Sequence, residues 1–106
     1  MTNTLKGPGP VTLSAIDAEI YAVPALTKST VALLITNTGN RSITFRLHHA
    51  TSGVSTQGNA IFYDAVIYPR QVIELTHIIM EAGHSLRGLA NLANYVNVKV
   101  SQVETS

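Results

Sequence analysis

The segment Val96-Asn97-Val98-Lys99-Val100-Ser101 decides the fold. Valine alternates here with polar residues, and a period of two is typical of a β-strand that buries only one face. The segment Ile43-Thr44-Phe45-Arg46-Leu47-His48 has the same alternation. A shift of register by one residue would expose every apolar side chain of such a strand, so the pattern also predicts which residues face the core.

The alternation divides these two segments into a buried set and an outward set. The residues expected to be buried are Phe45, Leu47, Val98 and Val100. The residues expected to face outward are Arg46, His48, Asn97 and Lys99.

Further short β-like segments are separated by turn residues. The continuous apolar run Val31–Ile35 is typical of a strand buried on both faces, and the tetrapeptide Asn37-Thr38-Gly39-Asn40 after it predicts a tight turn. Weaker strand patterns cover residues 11–23, 60–68, 70–79 and 85–90. About seven strands at this spacing predict an all-β chain, a single antiparallel β-sandwich of the Ig-like or jelly-roll-like kind.

The first ten residues differ from the rest. Proline lacks a backbone donor and glycine adds backbone freedom, so Lys6-Gly7-Pro8-Gly9-Pro10 is expected to form neither a helix nor a ladder strand. We predict a flexible, extended N-terminal arm at residues 1–10 and a β-sandwich domain at residues 11–106. A frayed terminus is the alternative interpretation of the arm.

The composition favours an assembled protein over several other classes. Only 12% of the 106 residues are charged while 45% are hydrophobic, which favours burial of apolar surface against another protein, although a neutral polar surface is the alternative. The seven basic residues are scattered, so no nucleic-acid partner is expected. The chain has no cysteine for disulfides. No signal peptide and no membrane span are predicted.

The arrangement of histidine, acidic and nucleophilic residues along the sequence predicts no catalytic site, no cofactor and no metal site. His48 and His49 are adjacent, so on a strand they point to opposite faces and cannot share one ion easily. Asp17 and Glu19 resemble a carboxylate pair, but an exposed strand face is the commoner explanation for such a pattern. No nucleophile elbow and no phosphate-binding loop occur. We therefore expect a protein that is not an enzyme.

Tyrosines leave one binding function open, because β-sandwiches often bind sugars on exposed aromatic rings. The candidate platforms are Tyr21, Tyr63, Tyr68 and Tyr95. The alternative interpretation places these rings at the edge of the core.

The order of several short segments resembles small virion structural proteins of tailed bacteriophages. The resemblance lies in Ile20–Ala25, Ala32–Thr38, Tyr63–Ile67, Ile73–Leu75, Met80–Arg87 and Val96–Glu104. It covers about residues 19–104, whereas the His48-His49 pair and the Gly-Pro-Gly-Pro arm depart from it.

The resemblance implies a head decoration (cement) protein or a fibre-type protein on the virion, made in the host cytoplasm. A decoration protein would bind the major capsid protein at the capsid surface as a homotrimer and stabilise the head. A receptor- or glycan-binding module of a tail or fibre is the alternative. The expected interface residues are Leu5, Lys6, Pro8, Pro10, Arg46 and His48.

Overall fold

The computed structural model describes the backbone of residues 3–51 and 53–105, and the side chains of these residues from Val11 onward except that of His77. Strands dominate this part of the chain. Its one helical element is a single 3-10 turn at Gln57–Asn59. Within the described ranges, no helix is long and apolar enough to cross a bilayer.

Eight strands follow one another along the chain. They are β1 (Asn3–Thr12), β2 (Ala18–Ala22), β3 (Lys28–Asn37), β4 (Ile43–Ala50), β5 (Ala60–Ile67), β6 (Val72–Met80), β7 (Ser85–Ala90) and β8 (Val96–Thr105).

The strands form two antiparallel sheets of four. The first sheet has the order β1-β8-β3-β6 and the second the order β2-β7-β4-β5. Only β4 and β5 are consecutive strands of one sheet, and every other connection crosses to the opposite sheet. This is the strand order of an eight-stranded jelly roll. The predicted all-β sandwich is therefore confirmed, with eight strands instead of about seven.

The core lies between the sheets and consists of the inward-facing residues of their strands. Phe45, Leu47, Val98 and Val100 are each at most 1% exposed, as their alternation predicts. Lys99 is exposed and points to the other side of β8. One strand of each sheet thus contributes a row of apolar side chains to the core, and the row of β8 continues into the buried Gln102 and Glu104.

Strand β3 differs from the prediction of a strand buried on both faces. Val31, Leu33 and Ile35 are almost completely buried, but Leu34 between them is 38% exposed. The outer face of the first sheet is not covered by another layer, so the continuous apolar run divides between core and surface. A continuous apolar run does not by itself show whether one face of a strand is buried or both.

Strand β1 corrects the expectation that the segment Lys6–Pro10 forms no ladder. Lys6 pairs with Gln102 and Gly9 with Val100, so Gly7 and Pro8 lie opposite the single residue Ser101. This irregularity and the position at the sheet edge accommodate the missing proline donors. The division of the chain at residue 10 into an arm and a domain stays a prediction.

The predicted turn after β3 is present and is closed by a buried asparagine. The amide nitrogen of Asn37 donates to the carbonyl oxygens of Arg41 at 2.8 Å and Ile67 at 3.1 Å. Its amide oxygen accepts the backbone N–H of Gly39 at 2.9 Å. Every polar atom of this 0% exposed side chain is therefore bonded, which makes its burial tolerable.

Candidate functional site

A β-bulge in strand β5 shapes the outer face of the second sheet. Phe45 pairs with Ala65 and Leu47 pairs with Phe62, so two residues of β5, Tyr63 and Asp64, lie opposite the single residue Arg46. Asp64 has a φ of 52°, in the left-handed region that aspartate tolerates better than most residues. The extra residue brings an aromatic ring and a carboxylate to the same arginine.

Arg46 contacts both residues of the bulge. Its Nε and Nη2 donate to Oδ1 and Oδ2 of Asp64 at 2.7 and 3.1 Å, a bidentate ion pair. Its guanidinium carbon lies 4.1 Å from the centre of the Tyr63 ring. The hydrogen bond from Arg46 lowers the pKa of Asp64, and the same bond raises the pKa of Arg46. The predicted outward position of Arg46 is confirmed, while its predicted role at an interface stays a prediction.

His48 is the main correction to the predicted surface. It lies on the outer face of the sheet but is only 3% exposed. Its Nδ1 is 2.9 Å from the carbonyl oxygen of Thr56 and 2.9 Å from Oδ1 of Asn59. Both partners are acceptors, so Nδ1 carries a hydrogen. His48 therefore anchors the β4–β5 loop onto the sheet.

Asn59 holds the same loop closed from within. Its Oδ1 accepts the backbone N–H of Thr56 at 3.0 Å, and its Nδ2 donates to the carbonyl oxygen of Val54 at 2.9 Å. These two bonds also determine the orientation of the amide group. The loop segment 54–59 is thus bonded to itself and to the sheet.

A second arginine–aspartate pair ties the β1–β2 connection to this loop. Nε of Arg87 donates to Oδ2 of Asp17 at 3.0 Å, and the hydroxyl of Ser55 donates to Oδ1 at 2.8 Å. The side chain of Arg87 thus forms an ion pair with Asp17. Glu19 is exposed on β2, and it is the neighbour of Arg87 only in the backbone pairing of β2 with β7. The sequence did not predict the contacts of Asp17, because its partners are 38 and 70 residues away.

These elements enclose a polar cleft of about 240 Å³ on the outer face of the second sheet. Arg46, Tyr63 and Leu89 line the cleft from the sheet, and Ser55, Thr56 and Gln57 line it from the loop, with Asp17 and His48 completing the wall. We call this hollow the polar cleft.

His49 and His84 lie against each other. Nε2 of His49 lies 3.0 Å from Nδ1 of His84, which also accepts the backbone N–H of Glu81 at 3.3 Å. His49 is therefore the donor in this pair. Burial lowers the pKa of His49, and the neighbouring His84 lowers it further. His48 and His49 lie on opposite faces of β4, as predicted, and contact different partners.

The tyrosines divide between the core edge and the surface. The hydroxyl of Tyr21 lies 2.7 Å from Oε2 of Glu104 and 3.0 Å from the hydroxyl of Ser29. Burial raises the pKa of Tyr21 to about 12, with the Ser29 hydrogen bond opposing this and Glu104 adding to it. Tyr63 lines the polar cleft, while Tyr68 is exposed elsewhere.

Two further predictions concern the arm and metal ions. The side chains of Leu5, Lys6, Pro8 and Pro10 lie outside the described residues, and their predicted interface role stays a prediction. Among the side chains that the structure describes, no three histidine or acidic groups are arranged to hold a metal ion.

Comparisons with known proteins identify the fold. No sequence family matches the chain, and a search of curated proteins found no match. A protein of the Bacillus endospore appendages, which form a family of disulfide-linked pili, has a similar structure with a TM-score of 0.65. The two are 15% identical, and the match covers 99% of this chain and 88% of that one. This likeness concerns the fold.

A second, weaker likeness is to a chain in the structure of infectious bursal disease virus, Gx strain. The TM-score is 0.47 and the identity 12%, and the match covers 96% of this chain but 30% of the viral one.

Proposed function

We propose that the chain is a non-enzymatic structural subunit of a larger particle, and more specifically a capsid decoration protein of a tailed bacteriophage. It binds the major capsid protein of the assembled head as a homotrimer and stabilises the shell through the interface area that it buries. The observation that carries this proposal is the outer face of the first sheet, which we call the docking face.

The docking face is apolar for a surface exposed to water. Four of its large aliphatic side chains are between 38% and 68% exposed, namely Leu34, Val72, Ile79 and Val103. Several large aliphatic side chains exposed on one sheet face favour contact with another protein. The low share of charged residues, 12%, supports the same interpretation.

Among the described side chains of the docking face, opposite charges flank Leu34. Leu34 lies between Glu74 on β6 and Lys99 on β8, so one acidic and one basic side chain flank the same apolar residue. A nucleic acid or an anionic membrane is attracted by a basic patch, whereas here an acidic side chain accompanies the basic one. The docking face matches a protein surface of neutral polar and apolar residues, such as the outside of an assembled shell.

A shallow groove crosses the docking face between these large residues. Ala32, Thr76 and Ser101 form its small-residue row, and two adjoining hollows of about 280 and 210 Å³ lie along it. Side chains of a partner would fill these hollows and improve the packing that a stable interface needs.

The fold is compatible with assembly without covalent links. The pili of the similar Bacillus protein are disulfide-linked, whereas this chain contains no cysteine. An assembly of this chain therefore relies on non-covalent contacts such as those of the docking face.

A second candidate is a receptor- or glycan-binding module of a phage tail or fibre. The observation that favours it is the polar cleft, which lies on the sheet opposite the docking face. Both candidates place the chain on a virion, and they differ in where on the virion it lies.

Immunogold electron microscopy of phage particles from the host that carries the gene tests the location. Antibodies against the chain should label the heads. Label at the tail tip or on fibres would support the second candidate instead, and the absence of the chain from purified particles would overturn both. Light scattering should give about three times the 11.3 kDa of one chain, and a single-chain mass throughout the micromolar range would exclude the trimer.

A matched pair of variants tests the docking face. Val72→Lys places a charge on the docking face, and Val66→Lys places one on β5 at a valine of similar exposure. We expect Val72→Lys to weaken binding to heads that lack the protein at least about tenfold, equal to about 1.4 kcal/mol. Val66→Lys should bind normally. Equal binding by both variants would show that the docking face is not the contact.

A further inference from the structure

We propose that the polar cleft is a binding site for a neutral saccharide, with room for one sugar ring. This inference rests on the second candidate function, whose ligand class it names, and it is independent of the proposed capsid role. The cleft lies on the outer face of the second sheet and the docking face on that of the first, so a particle-bound subunit keeps the cleft accessible.

The size of the cleft suits a small ligand. Its volume of about 240 Å³ lies just below the range of about 300–1,000 Å³ in which most small-molecule sites fall. The wall combines an aromatic ring, Tyr63, and an aliphatic side chain, Leu89, with hydroxyl, amide, carboxylate and guanidinium groups. A sugar ring has the matching character, because it carries an apolar C–H face and a polar edge of hydroxyl groups.

The balance of charge selects a neutral ligand. Arg46 is paired with Asp64, and Arg87 is paired with Asp17, so the charged groups at the cleft cancel in two pairs. An anionic ligand would compete with the two carboxylates for the guanidinium groups. A cationic ligand would compete with the two guanidinium groups for the carboxylates. A hydroxyl group both donates and accepts hydrogen bonds and needs no change in either pair.

Hydrogen-bonding capacity remains after these internal pairs form. Asp64 takes two of the five N–H donors of Arg46, which leaves three. Ser55 and Arg87 each donate once to Asp17, whose carboxylate has about four acceptor positions. Gln57 adds an exposed amide on the loop side. Adjacent donors and acceptors of this kind match the neighbouring hydroxyl groups of a sugar.

The cleft is organised before any ligand arrives. Arg46 lies against one face of Tyr63, and His48 contacts that ring edge-on with ring centres 6.4 Å apart. The loop wall is held by Asn59 and by the Ser55–Asp17 bond. A preformed wall reduces the ordering cost of binding, which matters for a ligand as small as one ring.

Nuclear magnetic resonance titration of the full chain tests the site. The probes are the methyl glycosides of glucose, galactose, mannose and N-acetylglucosamine, with glucuronic acid and N-acetylneuraminic acid glycosides as anionic counterparts. We expect at least one neutral probe to shift the amide signals of residues 54–57, 63 and 89, with a Kd on the order of 1 mM. No shift with any neutral probe would overturn the proposal, and so would tighter binding of the anionic probes.

Variants of exposed tyrosines provide the controls. Tyr63→Ala should weaken binding at least about tenfold, whereas Tyr63→Phe keeps the ring and should bind within about threefold of the unaltered chain. Tyr68→Ala removes a tyrosine that is 61% exposed away from the cleft and should bind normally. The same spectra report whether each variant is folded. Unchanged binding by Tyr63→Ala would place the sugar elsewhere and overturn the proposal. The titration needs no particle, so its outcome is independent of whether the chain decorates a capsid.

Discussion

The carboxylate of Asp64 receives two hydrogen bonds from Arg46, at 2.7 and 3.1 Å, while its own backbone has a φ of 52°. The bulge that creates this ion pair therefore depends on a residue that tolerates the left-handed region. Aspartate and asparagine do so at little cost, and β-branched residues do not.

This relationship predicts different effects for two substitutions of Asp64. Asp64→Asn keeps the backbone preference and removes the charge, so the melting temperature should fall only slightly, because exposed ion pairs contribute little. Asp64→Val also introduces backbone strain and should lower the melting temperature by several degrees more. Thermal unfolding followed by circular dichroism measures both. Equal melting temperatures for the two variants would show that the positive φ is not under strain.

The His49–His84 pair predicts that the protein loses stability in mild acid. The pKa of His49 is lowered from its ordinary value of 6.5, so the unfolded chain binds more protons than the folded one at slightly acidic pH. The free energy of unfolding should therefore show no effect of His49 protonation above about pH 6.5 and should fall as the pH drops below that value.

Urea unfolding across this pH range measures the effect in the unaltered chain and in His49→Gln. The variant cannot be protonated at position 49, so the fall in its free energy of unfolding below about pH 6.5 should be smaller. Parallel curves for the two proteins would show that His49 does not cause the pH dependence.

The alternation of strands β4 and β8 predicts the cost of truncating their side chains. Phe45→Ala removes a side chain that is 1% exposed and should lower the free energy of unfolding by about 3–5 kcal/mol, and Leu47→Ala should lower it by about 2–5 kcal/mol. Lys99→Ala on the outer face of β8 should cost less than about 0.5 kcal/mol. Denaturant unfolding compares the three variants. A Phe45→Ala protein as stable as Lys99→Ala would contradict the register of both strands.

Gly88 is required where two strands approach closely. A Cβ atom at this position would lie 2.7 Å from the backbone oxygen of Arg46, a distance that only a shift of the chain could relieve. Gly88→Ala should therefore cost about 1–3 kcal/mol or more. Gly58→Ala is the control, because its nearest neighbour would be 3.9 Å away. Similar unfolding midpoints for the two variants would contradict the close packing of β4 and β7.

The sequence by itself determined the class of the fold and the inward faces of its clearest strands. The alternation at Phe45 and Leu47, and at Val98 and Val100, follows from the two-residue period of a strand, which is a local property of the chain. The turn after β3 was likewise predictable, because two of the contacts of Asn37 are with the backbone of Gly39 and Arg41 nearby in sequence, whereas its bond to Ile67 was not.

Only the tertiary structure decided which outward residues are covered and which meet in the polar cleft. His48 has the alternation of a surface residue, but the loop at Thr56 folds over it. Asp17 meets Ser55 and Arg87 because the sheet order brings the β1–β2 connection beside the β4–β5 loop. The periodicity of the sequence does not predict such contacts, because they depend on how distant strands pair and on where a bulge adds a residue.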